Sequence, residues 1–446
     1  MKIKSQHWFF KINFHVVSIF TLYLVALFYG PSLVNLFYLL LSILFIYQLY
    51  AKKISLNLNF NADLIIKISF CLYLIFNSFF ITYESALFHK SLFYFRFLLI
   101  AFIISKIVND EDHTLKYISF IFLLCSILLS LDIIYQSQTG FDIFGYQAGL
   151  CTFPDGEQNL NPFDCERFSG FFGDELIAGN FLVTYGLFFS YIFFTRLKKN
   201  FFNILLFSLS TLLIFLAIIV SGERNAFLSI LLVLLFNILF NKKARTYLIY
   251  PILIFLLIFT FSFKKFEHIK YRYIDWPITI ITSYEGNIFK KLMHTPWGIH
   301  YTTAYDIFKN NKIFGSGFKS FRNECKKDIY DYKNLNQKYN LNLSNTSSNG
   351  CSSHPHNMYF ELLSEMGLVG FILFLILIYF IIFKPYFKNI NYTKDKQDVI
   401  FVLSIIFSIM FPFRPTGSFS GTISASNLWF FIGFYLYFIN NLKYKK

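Results

Sequence analysis

From Phe201 to Val220 the sequence reads FFNILLFSLSTLLIFLAIIV, which is twenty residues without a charged side chain. A helix needs about 20 mostly apolar residues to cross the hydrocarbon of a bilayer. Eleven further blocks of this kind lie along the chain, and each is bounded by charged or turn-forming residues. The sequence therefore predicts an all-α, polytopic integral membrane protein with about 12 transmembrane helices. The block centres lie near Ser18, Leu40, Leu72, Leu99, Leu123, Tyr185, Leu212, Val233, Leu256, Phe371, Ile405 and Phe431.

The composition excludes several other classes of protein. Apolar residues make up 56% of the 446 residues and charged residues only 15%, whereas an ordinary soluble domain carries about 25% charged residues. This excludes a disordered chain, a small secreted disulfide-rich protein and a soluble enzyme with a single core. The net charge of +15 is expected to orient the chain in a membrane and is weak evidence for nucleic acid, so we expect no nucleic-acid partner.

Lysine and arginine are concentrated in alternate loops. If the N-terminus is cytoplasmic and every block spans once, about twenty basic residues fall inside, whereas the short outside segments hold only Lys90, Arg167, Arg224 and Arg414. Cytoplasmic loops carry this excess of Lys and Arg in membrane proteins. The pattern predicts a multi-pass protein with both termini in the cytoplasm.

The blocks and loops divide the chain into five parts, and the fourth is the only one long enough for a small folded subdomain outside the membrane. There, Tyr301 to Lys312 and Phe318 to Tyr332 are predicted as short amphipathic helices on either side of Gly315-Ser316-Gly317. The parts are helices 1–5 (residues 1–136), a first large outside loop (137–173), helices 6–9 (174–263), the large loop between spans 9 and 10 (264–355), and helices 10–12 (356–446).

Six cysteines follow the same topology. Cys71 and Cys125 lie in spans, whereas Cys151, Cys165, Cys325 and Cys351 all fall in outside loops. An even number on an oxidising side suggests two local disulfides, and four unrelated thiols are the alternative. Their spacing does not suggest a zinc site.

Four arginines lie near the outer face. Arg224 follows Ser221-Gly222-Glu223 in a very short turn, where Ser221 can cap the next helix and the helix N-terminus favours an anion. Arg414, Arg167 and Arg96 also lie in or beside the spans. Arginine is the preferred bidentate partner for phosphate, so this group predicts a lipid-linked phosphate or pyrophosphate ligand; snorkelling or salt-bridged arginines are the alternative.

His356 follows Pro355 at the predicted start of the tenth span. The positive end of that helix disfavours imidazolium, so the ring is expected to be neutral and able to accept a proton as a general base. A histidine that only caps the helix is the alternative. Glu361, Glu365 and Glu175 are acids near this face that could position an arginine or a sugar hydroxyl, or pair structurally.

Several of these residues resemble a known family. His356-Asn357, nine residues, Gly367, two residues and Gly370 match the pattern H-[NSQ]-x9-G-x-x-[GTY] of the O-antigen ligase and polymerase superfamily. Gly315-x-Gly317-x3-Phe321 resembles the glycine-rich turn in that family's large periplasmic loop. Ser221-Gly222-Glu223-Arg224 resembles its arginine between two central spans. The four glycines are then expected to be structural.

The resemblance implies a bacterial inner-membrane glycosyltransferase that uses a glycan on undecaprenyl pyrophosphate at the periplasmic face. Its expected partners are that donor, a glycan acceptor and membrane lipid, with a chain-length regulator protein as a further candidate. Donor pyrophosphate is expected to dock among Arg224, Arg414, Arg96 and Arg167, with Asn357, Glu175 and Glu361 as further substrate-binding residues. His356 then acts as the base, and Arg224 is the second catalytic residue, in an inverting transfer that needs no metal or cofactor.

Two reactions are open to this family. A polymerase moves the glycan to another lipid-linked repeat unit, and a ligase moves it to the lipid A core. The segments Arg167 to Leu176 and Phe411 to Pro415 resemble polymerase sequences, as do two prominent outside loops, whereas the histidine pattern is associated with ligases. A lipid-linked oligosaccharide flippase or transporter is a lower-ranked alternative. Such a protein is expected to have short loops and two related halves, and this sequence has neither.

Overall fold

The computed structural model describes residues 13–54, 61–82, 85–108, 113–148, 167–173, 175, 177–265, 267–275, 277–278, 282, 287, 291, 293, 295–330, 332–339, 350–389 and 396–444. Within these ranges the fold is all-α, as predicted, and contains no strand. The helices of eight or more residues are Phe14–Tyr29, Pro31–Tyr50, Ala62–Asn77, Ser85–Leu92, Phe95–Ile107, Thr114–Thr139, Ala178–Thr195, Phe201–Val220, Arg224–Phe240, Lys242–Lys265, Pro296–Asn310, Tyr332–Tyr339, Met358–Ile378, Gln397–Ile409 and Thr422–Tyr444.

All twelve predicted block centres lie in these helices. Among the described residues, seven helical segments have the length and apolar character to cross a membrane, which is the architecture of a polytopic membrane protein. Three further apolar helices are shorter, namely Phe14–Tyr29, Arg224–Phe240 and Gln397–Ile409. The seven are Pro31–Tyr50, Ala62–Ile81, Thr114–Thr139, Ala178–Thr195, Phe201–Val220, Met358–Lys388 and Thr422–Leu442.

The chain forms two compact units, and each combines three stretches that are distant in sequence. The first unit comprises residues 1–51, 106–276 and 394–409, and the second comprises 52–105, 277–393 and 410–446. In the first unit, Asn237 donates to Ser404 Oγ at 2.7 Å, and Arg196 forms a 3.2 Å salt bridge with Asp398. Such polar pairs join helices whose facing surfaces are otherwise apolar.

In the second unit the Met358–Ile378 helix is broken at Gly367, where φ is +64° and ψ is −168°. The turn from Lys312 to Gly317 supplies the missing backbone partners. Leu368 N and Val369 N donate to the carbonyls of Lys312 and Ile313 at 2.9 and 3.1 Å, while Ser316 N and Gly317 N donate to those of Ser364 and Glu365 at 2.9 Å. We call residues 312–317 with 364–369 the glycine junction.

Close backbone approach explains why the glycine junction needs glycine. A Cβ on Gly315, which has φ +74°, would lie 2.3 Å from the carbonyl carbon of Glu365. A Cβ on Gly367 would lie 2.3 Å from the carbonyl oxygen of Ile313, and one on Gly370 would lie 2.6 Å from a ring atom of Tyr73. The two glycine motifs of the sequence are therefore parts of one structural element, apart from the closing Gly370.

The large loop has a small core of its own. Ala304, Ile307, Phe321, Cys325 and Tyr330 are buried together, with Cys351 and Phe360 packed against them. A disulfide joins Cys325 to Cys351, whereas Cys151 and Cys165 lie outside the described residues. The helix predicted from Tyr301 to Lys312 is Pro296–Asn310, capped by the Thr295 side chain, so it begins and ends earlier than predicted. The second predicted helix is interrupted, because the chain instead forms short helices at Phe321–Glu324, Asp328–Tyr330 and Tyr332–Tyr339.

Candidate active site

His356 lies two residues before the Met358–Ile378 helix in a left-handed conformation, with φ +55°. This conformation is uncommon outside glycine and is found mainly where the surroundings impose it. The backbone here is held because Thr416 N donates to the carbonyl of His356 at 2.8 Å. The imidazole ring centroid lies 4.2 Å from that of His354, 5.3 Å from that of His300 and 4.7 Å from that of Trp297. We call His300, His354 and His356 the histidine cluster.

The histidine cluster disfavours protonation. Burial, followed by the charges of His354 and His300, lowers the pKa of His356 to about 3. Burial also lowers the pKa of His354 to about 4, and the bond from its ring to Thr416 O opposes that fall. Burial lowers the pKa of His300 as well. The expected neutral His356 therefore has burial as its first cause, with neighbouring histidines contributing next.

Asn357 is the N-cap of the Met358–Ile378 helix. Its Oδ1 accepts from Tyr359 N at 3.0 Å and Phe360 N at 3.2 Å, and its Nδ2 donates to Pro412 O at 2.7 Å. The side chain is buried and its oxygen and nitrogen both have backbone partners. Asn357 thus fixes the start of the helix and ties it to the loop that carries Arg414.

Glu361 and Glu365 lie one turn apart and hold two different loops. The two oxygens of Glu361 accept from Ser418 Oγ at 2.6 Å and Phe419 N at 2.8 Å. Those of Glu365 accept from Lys319 N at 2.7 Å and Phe321 N at 3.2 Å. Both carboxylates are buried, so these hydrogen bonds offset part of their cost of burial. Their geometry favours a structural role for Glu361, which was predicted to bind substrate.

Lys319 and two neighbouring basic residues, Lys90 and Arg322, were not predicted as site residues. Lys319 is only 8% exposed and has φ +64°. Burial, then the charge of Lys90 and a hydrogen bond with it, then the charge of Arg322, lower the pKa of Lys319 to about 8, against the opposing charge of Glu365. The charges of Lys319 and Arg322 also act on His354. We call Lys90, Lys319 and Arg322 the lysine cluster.

Arg414 and Arg96 belong to the second unit, like the histidine cluster. Arg414 is 6% exposed, and its carbonyl accepts from Asn357 Nδ2 at 3.5 Å. Arg96 donates to Phe93 O at 3.1 Å and Thr422 Oγ1 at 3.5 Å, and its guanidinium lies 4.5 Å from the centroid of the Phe97 ring. Thr422 begins the final helix, so Arg96 is placed at its N-terminal end.

Arg167 and Arg224 belong to the first unit, where they lie near Glu223. Phe168 N donates to Ser221 O at 3.1 Å, and Glu223 accepts from Gly179 N at 2.7 Å and Asn180 Nδ2 at 2.9 Å. Burial raises the pKa of Glu223 to about 7, and the charge of Arg167 opposes the rise most. Glu223, rather than Ser221, precedes the Arg224–Phe240 helix; the Ser221 hydroxyl donates backwards to Ile218 O at 2.8 Å, so the predicted cap was wrong.

Glu175 is also in the first unit, and its side chain is exposed. The structure therefore divides the candidate residues into two groups. The second unit contains His356, Asn357, Glu361, Arg96 and Arg414, and the first contains Arg167, Glu175 and Arg224.

A family model matches part of the chain. Residues 209–375 match the family model described as O-antigen ligase. The matched residues support the predicted resemblance to the O-antigen ligase and polymerase superfamily. No curated protein matches the chain.

The superfamily match covers Arg224, the glycine junction and His356, and ends five residues after Gly370. Members of the O-antigen ligase family are glycosyltransferase-type enzymes that act on lipid-linked oligosaccharide and a glycan acceptor. Arg96, Arg167 and Arg414 lie outside the match. Within the match, sequence patterns found His356 but not His300 or Lys319, because neither residue belongs to a recognised spacing.

Proposed function

We propose that this chain is a periplasmic-face glycosyltransferase that polymerises undecaprenyl-pyrophosphate-linked repeat units into O-antigen or a related surface polysaccharide. The observation that carries the proposal is the position of His356. It lies in the O-antigen ligase-type region, at the start of a membrane helix, and next to His354, on which the charges of the buried Lys319 and the partly exposed Arg322 act. A neutral imidazole there can accept a proton, and the cations can stabilise a phosphate leaving group.

In the proposed transfer, one bond forms at the anomeric carbon and one breaks there. The acceptor hydroxyl oxygen forms a bond to the anomeric carbon of the donor sugar, and its proton passes to a ring nitrogen of His356. The bond between that carbon and the pyrophosphate oxygen breaks, and the pyrophosphate leaves with the bonding electrons. Attack from the face opposite the leaving group inverts the anomeric configuration. The sugar–pyrophosphate bond supplies the driving force, and the basic side chains supply the charge, so we propose that no metal is needed.

The low pKa of His356 determines when the base is effective. A base whose pKa is about 3 accepts a proton poorly from a hydroxyl, because the best general base titrates near the working pH. A bound pyrophosphate brings negative charge to the site and would raise the pKa of His356. Donor binding thus activates the base, and the resting enzyme keeps it neutral.

We propose that Arg224, Arg414, Arg96 and Arg167 bind the donor pyrophosphate. Arg224→Lys tests whether pyrophosphate binding needs the paired N–H donors of a guanidinium or only a single positive charge. We expect at least a tenfold loss of polymer in membranes, since bidentate pairing is lost. Wild-type activity of this variant would contradict bidentate binding of the pyrophosphate by Arg224.

The proposal includes a location. We place the protein in the bacterial inner membrane with both termini cytoplasmic, which puts the Cys325–Cys351 disulfide in the oxidising periplasm. Fusing a reporter that is active only in the periplasm after residue 446 should give no signal, whereas insertion within 341–349 should give one.

A ligase is the second candidate, and the family description favours it because the matched model is that of O-antigen ligase. A glycan gel of the native host, with this gene deleted, separates the two reactions. Lipid A core bearing one repeat unit and no ladder supports the polymerase. Bare core with accumulated lipid-linked polymer means a ligase.

Complementation tests the catalytic base in the same host. His356→Ala should fail to restore the ladder, with a loss of about 100-fold or more, which is typical of a removed general base. His15→Ala is the matched control, because His15 is exposed on the first helix. An unchanged ladder on deletion, or full rescue by His356→Ala, would contradict the proposal.

A further inference from the structure

The lysine cluster is a concentration of like charge without a matching set of acids. Lys319 is buried, yet within the part of the chain that the structure describes neither Lys319 nor Arg322 forms a salt bridge. The Nε atom of Arg322 is buried and lacks a hydrogen-bond partner. Lys319 is the buried member of the cluster, whereas Arg322 is partly exposed and Lys90 is exposed. Burying a charge without an ion-pair partner is expensive, so the fold places Lys319 there at a cost.

The nearby acids offset the charge of Lys319 only in part, and no salt bridge among the described residues joins them to it. The charges of Glu361 and Glu365 reach Lys319. However, both oxygens of Glu365 already accept backbone N–H groups from Lys319 and Phe321, and both oxygens of Glu361 accept from the 418–419 turn. The carboxylates therefore hold the backbone of the loop rather than pair with the ammonium and guanidinium groups.

The loop geometry keeps Lys319 in place. Its φ of +64° is rare for a residue with a side chain, and the Glu365 carboxylate fixes the amides on both sides of Ser320. The adjoining glycine junction binds the same turn to the broken helix through Ser316 N and Gly317 N. A strained, buried lysine held by a rigid frame is preorganised for a ligand rather than free to move into solvent.

We propose that Lys319, Arg322 and Lys90 form a pyrophosphate subsite next to the histidine cluster. This inference rests on the proposed function for its ligand, a polyprenyl diphosphate, which would be the donor's leaving group and the released carrier. It adds a second-unit anion site that contains no arginine from the sequence-derived set. Arg322 supplies planar paired donors and the two lysines supply point charges, a combination suited to two adjacent phosphates.

The test measures stability and binding on the full chain in phosphatidylcholine nanodiscs. Lys319→Met removes the charge and keeps much of the apolar stem. Without ligand, we expect the melting temperature to stay the same or rise, because a like charge leaves the cluster. Affinity for geranylgeranyl diphosphate should fall about 10- to 100-fold, the usual value of a hydrogen bond to a charged group. A residue with a merely structural role would lower both stability and affinity.

Two further variants complete the test. Arg322→Gln should also weaken diphosphate binding about tenfold or more, while Lys319→Arg should retain most of it. Lys327→Met is the control, because Lys327 lies in the same loop, is exposed and pairs with Glu324 at 2.7 Å. The control should bind as wild type does.

A comparison ligand distinguishes the sources of phosphate. Phosphatidylglycerol added to the nanodiscs should compete weakly, since it carries one phosphate. Equal competition by phosphatidylglycerol, or unchanged diphosphate affinity in Lys319→Met and Arg322→Gln, would overturn the subsite. The outcome is separable from the proposed function. If wild type restores the glycan ladder but Lys319→Met and Arg322→Gln bind the diphosphate normally, only the subsite is rejected. If these variants lose affinity but deletion of the gene leaves the glycan ladder unchanged, only the proposed function is rejected.

Discussion

The glycine junction and the histidine cluster lie in the same unit, but they differ in how favourable the surroundings of their polar groups are. In the glycine junction the helix is broken, yet the exposed backbone groups at the break find partners at 2.9 to 3.1 Å. In the histidine cluster and the adjoining lysine cluster, His354, His356 and Lys319 lie beside groups that oppose their protonation. The first region is optimised for stability and the second departs from it, which is a pattern expected of a functional site on a rigid support.

The largest effect is expected from a substitution that disrupts the glycine junction. In Gly315→Ala a Cβ would overlap the Glu365 backbone at 2.3 Å, and φ +74° adds strain. We expect a loss of about 5 kcal/mol of unfolding free energy, from overpacking and strain together, which is enough to prevent accumulation of folded protein. Yield and the melting temperature in detergent measure it.

Gly145→Ala is the matched control. Gly145 has φ +86°, but a Cβ there would meet nothing within 4 Å, so only the strain remains. A loss of about 1 kcal/mol is expected. If the two substitutions cost the same, close approach in the glycine junction would not be what requires glycine.

Much of the fold could be read from the sequence, because a long apolar block has few alternatives to a membrane helix. The junction could not. Gly367 lies in the middle of an apolar run, and nothing local shows that its helix breaks there or that Lys312 and Ile313, more than fifty residues earlier, supply the partners. Periodicity reports which face is apolar, and it carries no information about a distant turn that completes a broken helix.

The candidate site was predicted in part, for a related reason. His356 belongs to a motif, and its neutrality was predicted from the helix terminus, whereas the causes in the structure are burial and the neighbouring histidines. Lys319 and Arg322 were hidden among the many basic residues of the large loop, where positive charge is ordinary. Only burial separates Lys319 from Lys327 nearby, and burial depends on how the loop folds against Glu365. Glu361 and Asn357 remain predicted substrate-binding residues, and the structure adds what the sequence did not show, namely that Asn357 caps a helix and Glu361 holds the 418–419 turn.

The next effect tests whether the disulfide supports the histidine cluster from outside the junction. The Cys325–Cys351 disulfide joins residues that are 26 positions apart, and Cys351 lies three residues before His354. Replacing both cysteines with serine should lower stability by about 3 kcal/mol, from the added freedom of the unfolded chain. Cys125→Ser is the control, since Cys125 is a free cysteine in a membrane helix. Melting curves of both variants, recorded in detergent, measure the difference, and equal curves would contradict a supporting role.

The smallest effect sharpens the contrast through pH. The pKa of His356 is lowered to about 3 and that of His354 to about 4, from 6.5 in the unfolded chain. As pH falls below 6.5 the unfolded state takes up protons that the folded state refuses, so the equilibrium moves toward unfolding. The stabilising difference is fully present above pH 6.5 and is lost progressively down to about pH 3. Wild type should therefore lose several degrees of melting temperature between pH 7 and pH 4.5, and His354→Asn should lose less, because an amide does not titrate. A wild-type slope no steeper than that of His354→Asn would mean that the histidines already bind protons in the folded protein, and the neutral cluster from which donor binding is proposed to activate His356 would not exist.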